Sequence, residues 1–278
     1  MARTSALSIL QGVGEAAQLK ELYGYVIENL QKETLSNGLK SQAYTGNPAA
    51  GSVEFKRFQN SASKVYGTAR TAGKGDKITA PPVTVNLDIH REIVEEVAQF
   101  DLDTFGVGNI MARRVGNHID SLAAELETAF FAAAVASATA VTTTETDLAE
   151  ILEANIQALE TVQNEFVRGV NRNMMDIVCT PSFYGKIRNL LDVKSTPNVD
   201  TAAEAFNTFH GVRFYSSIYV DGVDALIMAR GSVAQPVVTY QYGEPEKIQL
   251  SNDFAVSLFY DFGVKTLTPD LVFSYTAS

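Results

Sequence analysis

His90, His118 and His210 stand far apart, and none has the i, i+4 partner that would let one helix face hold a metal ion. The lone cysteine, Cys179, ends the apolar run Ile177-Val178-Cys179. A thiol there is buried filler, because a nucleophilic one needs a cation or a helix terminus beside it. Asp101 and Asp103 are i, i+2 neighbours in an extended stretch, the arrangement of paired carboxylates, but no base or ligand accompanies them. Gly12-Val-Gly14-Glu-Ala-Ala17 spells the glycine pattern of a dinucleotide turn. Only Ala6 to Leu10 could form the strand before it, and no second strand follows the helix, so it reads as the lead-in to a helix. Gly67 to Lys74 resembles a phosphate loop, yet five residues separate Gly67 from Gly73 where the motif needs four, and Gly75 stands where a magnesium-binding hydroxyl belongs. No GxSxG elbow occurs. The sequence therefore offers no catalytic residue, no cofactor site and no metal site.

The elements around these residues are more informative than the residues. Gly106 to Ser137 carries Met111, Val115, Ile119, Leu122, Leu126, Phe130 and Ala133 at steps of three and four, one apolar stripe on a very long helix. The stripe lacks regular flanking charge pairs, so this is a spine against which other elements pack and not a coiled coil. Before it, Glu15 to Leu35 predicts a helix stopped by Asn37-Gly38, Val53 to Phe58 a strand, and Lys64 to Arg70 a second strand. Val83, Val85, Leu87 and Ile89 alternate as a half-buried strand. Arg91 to Asp103 continues as an extended or mixed element. After the spine, Asp147 and Glu150 form a capping box for a helix whose apolar face runs Leu148, Ile151, Leu152, Ile156, Leu159, Val162 and Phe166. Strands are expected at 174–180, 211–219 and 225–229, with a helix at 181–191 and a turn at Asp221-Gly222. Phe254, Val256, Leu258 and Tyr260 alternate in a strand-rich end. This is an α+β chain.

Composition excludes several classes. At 278 residues and 46% hydrophobic, the chain buries a substantial core, and its net charge of −10 argues against coating nucleic acid. One cysteine rules out an intrachain disulfide framework. The most membrane-like run, Thr128 to Val141, is about 14 residues long, short of the ~20 that span a bilayer. The charge is unevenly spread. Residues 52–87 hold Lys56, Arg57, Lys64, Arg70, Lys74 and Lys77 against Glu54 and Asp76, a net of +4. Residues 88–103 hold Asp88, Glu92, Glu95, Glu96, Asp101 and Asp103 against Arg91, a net of −5. Such a pair of segments meets within one chain, between copies, or as solvated faces of opposite sign.

The order of these elements resembles the major capsid protein of tailed bacteriophages, the Hong Kong 97-like fold: an arm with a helix, a basic β excursion, a strand, a spine helix, an α+β insertion and returning strands. Tyr260-Asp-Phe-Gly263-Val-Lys-Thr-Leu-Thr-Pro269-Asp-Leu-Val is similar to the family's closing pattern of a glycine, a basic strand residue and a proline before the last strand. The resemblance implies an N-arm at 1–39 and an E-loop at 40–82. It implies a peripheral domain at 83–143 with 244–278, and an axial domain at 144–243.

It also implies a structural role without catalysis: hexamers and pentamers of this one chain closing an icosahedral head around double-stranded DNA that is enclosed but not specifically bound. The basic E-loop residues would then dock on a neighbouring copy, with the 88–103 acidic band as their partner. No cofactor and no membrane enter. The chain begins almost directly at the arm, so a separate scaffolding protein is expected, with a portal and decoration proteins as further partners. Assembly takes place in the host cytoplasm and the product is the virion. Lys64, Lys74 and Lys77 could each supply an amine for subunit crosslinking, but no asparagine or glutamate is identified for it, and none is expected. The alternatives are an encapsulin-like compartment shell and, in a different class, a soluble α+β enzyme with an unrecognised site.

Overall fold

Two stretches of alternating and continuous apolar sequence become two sheets of different kinds. A computed structural model describes residues 34–45, 47–68, 71, 75–98, 107–193, 208–240, 246–251 and 253–277. Residues 1–33 of the expected N-arm, with the Gly12–Ala17 pattern, and Arg70, Lys74, Asp101 and Asp103 lie outside them. Among the described residues, 34–38, 87–127 and 236–263 gather into one unit, and 39–86, 128–235 and 264–277 into another.

In the first unit, β3 (Ile89–Val97) pairs antiparallel along all nine residues of β12 (Phe254–Phe262). The opposite edge of β12 carries β10 (Val237–Tyr240) and β11 (Glu246–Lys247). Leu258, Tyr260 and Phe262 are buried while Phe259 is exposed, the period-2 pattern of a sheet with one covered face. The long helix is α2 (Val107–Ser137), of 31 residues and about 46 Å; its residues 107–127 belong to this unit. One carboxylate ties it to the sheet. Arg91 and Tyr260 are register partners on adjacent strands, and both donate to Glu125, Arg91 through Nε at 2.5 Å and Tyr260 through its hydroxyl. Burial, with the bond to Glu125 next, pushes the Tyr260 hydroxyl above the usual phenol range. Glu127, also buried, accepts the Ser36 backbone N–H at 2.7 Å. That bond anchors α1 (Leu35–Leu39). The expected helix over Glu15–Leu35 lies outside the described residues up to 33, and Asn37-Gly38 lie within the short helix α1.

In the second unit, six strands lie in the order β4 (Thr139–Ala140), β14 (Val272–Tyr275), β8 (Ala225–Ala229), β5 (Met175–Cys179), β7 (Val212–Ser216) and β6 (Thr208–Phe209). The β4–β14 and β5–β7 pairs are parallel and the rest antiparallel, and β9 (Val233–Ala234) and β13 (Lys265–Thr266) form a separate antiparallel pair in this unit. Every residue of β5 and β8 is buried. That is why they read as continuous apolar runs and not as alternation. Leu152, Ile156 and Leu159 of α3 (Leu148–Glu160) and Phe183 and Ile187 of α4 (Pro181–Val193) form a core with Met175, Ile177, Cys179, Val212, Phe214 and Ile227. Burial pushes the Cys179 thiol up to about 12, as befits filler. Asp147 caps α3 by accepting the Ala149 N–H at 2.8 Å.

Three expected elements differ. The strand over Val83–Ile89 divides. β2 (Pro82–Asn86) pairs with β1 (Ser52–Lys56), whereas Ile89 already belongs to β3, with Leu87 and Asp88 as the break. Helix α3 stops at Glu160, short of Phe166. The Asn164 side chain there accepts the N–H groups of Phe166 and Val167 in a local turn. Gly169, at φ +88°, closes this turn, and a Cβ on it would stand 2.9 Å from the Glu160 carbonyl oxygen. Finally, no strand forms over 64–68. Gly67 turns at φ +93°, and the Thr68 and Thr71 hydroxyls donate to the carbonyls of Val65 and Gly67, offering the backbone an alternative to a ladder.

Candidate assembly surfaces

The excursion between β1 and β2 has a fixed base and an uncovered tip. At its base the ladder continues for two more bonds, from Arg57 N–H to Pro81 and from Gln59 N–H to Thr79. Arg57 grips Asp270 with both terminal nitrogens, at 2.8 and 2.7 Å, and its guanidinium lies 4.3 Å from the Phe166 ring centroid. Burial works against ionisation of Asp270, but Arg57 and Asn164 hold its carboxyl below the usual range. The Asn60 N–H donates to Glu165 O and Arg168 donates to Ser61 O. Towards the tip the apolar side chains are open to solvent. Val65, Tyr66 and Ile78, all large and apolar, are 83%, 89% and 84% exposed. Among the described residues Lys64 pairs with Asp76, Lys56 stands 3.9 Å from Glu54, and Lys77 is exposed.

The described part of the acidic band is divided by the pleat of β3. Glu92 and Glu96 are exposed on the face that also carries His90 and Val94, opposite Phe259 and Ala255 of β12. Glu95 lies on the other face, its Oε2 3.1 Å from the Nε2 of buried His118 on α2. Asp88 is exposed in the break before β3. On the open face, Asp261 accepts the Tyr240 hydroxyl at 2.6 Å and lies 2.7 Å from His90 Nδ1. The Tyr240 bond, against some burial and with help from His90, holds its carboxyl below the usual range.

Two charge clusters at one end of the six-stranded sheet were not singled out from sequence. Glu153 of α3 accepts from Arg172 at 2.6 Å and lies 2.6 Å from His210 Nδ1, while Arg172 also reaches Glu160. The Arg172 bond leads in lowering the Glu153 carboxyl to about 2. Asp176 of β5, with no exposed surface, accepts from Arg213 and Arg230. An acid inside the apolar run Met-Asp-Ile-Val-Cys was the available signal, since a buried carboxylate must be paired. Its partners lie 37 and 54 residues away, beyond what local pattern can assign.

Among the described residues no group of three or more His, Cys, Asp or Glu side chains could hold a metal ion, and no helix is long and apolar enough to cross a membrane. A family model described as phage capsid protein matches residues 91–273. The chain belongs to the phage capsid protein family. No curated protein matches its sequence. Solved structures add the fold. The capsid of the cyanophage P-SCSP1u is similar at 14% identity and TM-score 0.62, with 88% of each chain covered. The mature capsid of bacteriophage PhiM1 is similar at 15% identity and TM-score 0.56, covering 88% of this chain and 87% of that one. A virus-like particle from Pyrococcus furiosus is similar at 12% identity and TM-score 0.57, covering 93% and 98%.

The phage capsid protein thus has the Hong Kong 97-like fold, mixed in helix and sheet, and is a structural major capsid protein of tailed phages whose place is the virion. The fold alone is shared with a particle of another description; the family match separates the phage capsid from it. For such a protein the functional surfaces are those that meet further copies of the chain. The uncovered tip of the 57–80 excursion and the open face of the β3–β12 sheet are therefore its candidate sites.

Proposed function

We propose that this chain forms hexameric and pentameric capsomers that close an icosahedral head around double-stranded DNA, and that the 57–80 excursion joins neighbouring copies. Residues 40–82 act as the E-loop, 83–143 with 244–278 as the peripheral domain, 144–243 as the axial domain and 1–39 as the N-arm. The carrying observation is the tip itself: Val65, Tyr66 and Ile78 are exposed beside Lys64 and Lys77. A second copy supplies the matching chemistry on its open sheet face, where Glu92 and Glu96 flank Val94 and Phe259. Lys56, Arg70 and Lys74 extend the basic side of this contact, and Asp88, Asp101 and Asp103 the acidic side. Arg57 and Glu95, held by Asp270 and His118, set the two elements in place.

Each exposed ion pair contributes under ~1 kcal/mol, but repetition around a closed shell makes weak contacts sufficient together. The excess of acid elsewhere keeps a like-charged wall facing the packaged genome. A separate scaffolding protein, a portal and decoration proteins complete the proposed partners, and assembly takes place in the host cytoplasm. Replacing Lys64→Glu together with Arg70→Glu is the test. Loss of capsomers, with weaker salt dependence in whatever still assembles, is expected; unchanged assembly with unchanged salt sensitivity would remove the charge pairing from this account.

A further inference from the structure

The Asp176 cluster has one more cation than it has anions. Asp176 is wholly buried on the central strand β5, on the sheet face opposite the α3 and α4 core, as its neighbours Met175 and Ile177 face those helices. Arg213 Nε donates to its Oδ1 at 2.7 Å, and Arg230 donates Nε to Oδ2 at 3.1 Å and a terminal nitrogen to Oδ1 at 3.4 Å. Two guanidinium groups therefore converge on one oxygen. Asp176 is 0% exposed, but the Arg213 and Arg230 side chains are 42% and 33% exposed. Neither arginine side chain has a further ion pair or hydrogen bond among the described residues. Arg213 spends only its Nε on Asp176, and its guanidinium rests 5.7 Å from the Tyr215 ring centroid. Its terminal N–H groups, planar and fixed in orientation, remain for another acceptor.

We infer that Arg213 and Arg230, aligned from beneath by Asp176, form an oxyanion-binding pair that receives a carboxylate from a second copy of this chain in the assembled shell. The inference rests on the self-assembly proposed above. Two like charges held together are stabilised by one buried carboxylate, and a second anion completes the balance. The planar donor forks suit a carboxylate or a phosphate. A copy of this chain is the favoured source, because its sequence holds 32 Asp and Glu against 22 Lys and Arg. A nucleic-acid backbone needs a row of cations in place of one uncompensated charge on a chain of net −10.

The test uses the full chain under conditions where the wild type assembles, so failure of the wild type to assemble would count against the assembly reading and not against this one. Arg213→Lys keeps a cation for Asp176 and removes the outward fork. It is expected to retain the wild-type melting curve while raising the protein concentration needed for assembly about tenfold, in the range of a lost interfacial charge pair. In a second arm that needs no variant, sodium phosphate is expected to weaken wild-type assembly more than sodium chloride at equal ionic strength, and the difference is expected to vanish in Arg213→Lys. Equal assembly of both proteins, or equal effects of the two salts on the wild type, would overturn the inference. So would duplex DNA binding, read by fluorescence anisotropy, that Arg213→Lys abolishes while assembly is untouched; nucleic acid would then be the ligand.

Discussion

The six-stranded sheet and the 57–80 excursion belong to the same unit and handle apolar and charged side chains in opposite ways. In the sheet, β5 and β8 are buried on both faces, and the one acid among them is met by two arginines. In the excursion, Val65, Tyr66 and Ile78 are exposed, and Lys64 pairs with the exposed Asp76. The first arrangement satisfies the chain within itself. The second leaves apolar area and positive charge for something outside it, as the proposed contact between copies requires. The contrast predicts that damage in the sheet is felt as lost stability, and damage in the excursion as lost assembly.

The sharpest break is Asp176→Ala, which removes the acceptor of two arginines from a fully buried position. Chemical denaturation is expected to show a loss of about 3 kcal/mol, the usual effect of breaking a buried pair. A loss below the level of ordinary surface changes would mean that the sheet does not depend on this cluster. At the opposite pole, Val65→Ser, Tyr66→Ser and Ile78→Ser together are expected to change stability by under about 0.5 kcal/mol per site while abolishing capsomers in sedimentation. A variant that still assembled would leave the exposed tip without a purpose.

How far this contrast was legible in the sequence depends on the range of the interactions. The apolar stripe of the long helix, the continuous runs 175–179 and 225–229 and the alternation at 254–260 are local patterns, and each became the expected element. The end of α3 is not legible, because Phe166 continues the 3.6-residue period, yet Asn164 and Gly169 turn the chain first and Phe166 serves as a platform for Arg57. The basic excursion is visible in composition, but its tip alternates like a strand while Gly67 and the Thr68 and Thr71 hydroxyls turn the backbone instead. That Arg57 is bound by Asp270, 213 residues on, no local pattern could indicate.

Smaller effects refine the same comparison. The Glu153 carboxyl is depressed from an ordinary 4.5 to about 2 in the folded chain. Its contribution to stability is therefore complete above the ordinary value and is lost as pH falls from 4.5 towards 2. Glu153→Gln is expected to flatten that part of an acid-unfolding curve followed by circular dichroism, and an unchanged curve would remove the Arg172–His210 cluster from the sheet's supports. Asp147→Ala, which deletes the cap of α3, is expected to cost ~1 kcal/mol in the same denaturation experiment, with assembly unaffected at temperatures where the fold is intact.

The central claim is that this chain completes itself only in many copies. Its most direct measurement is the size of the purified protein, by light scattering with negative-stain electron microscopy, alone and with any scaffolding protein encoded beside it. Capsomer rings or closed shells are the predicted result, and their diameter gives the copy number. A strict monomer under every condition, scaffold included, would contradict the account.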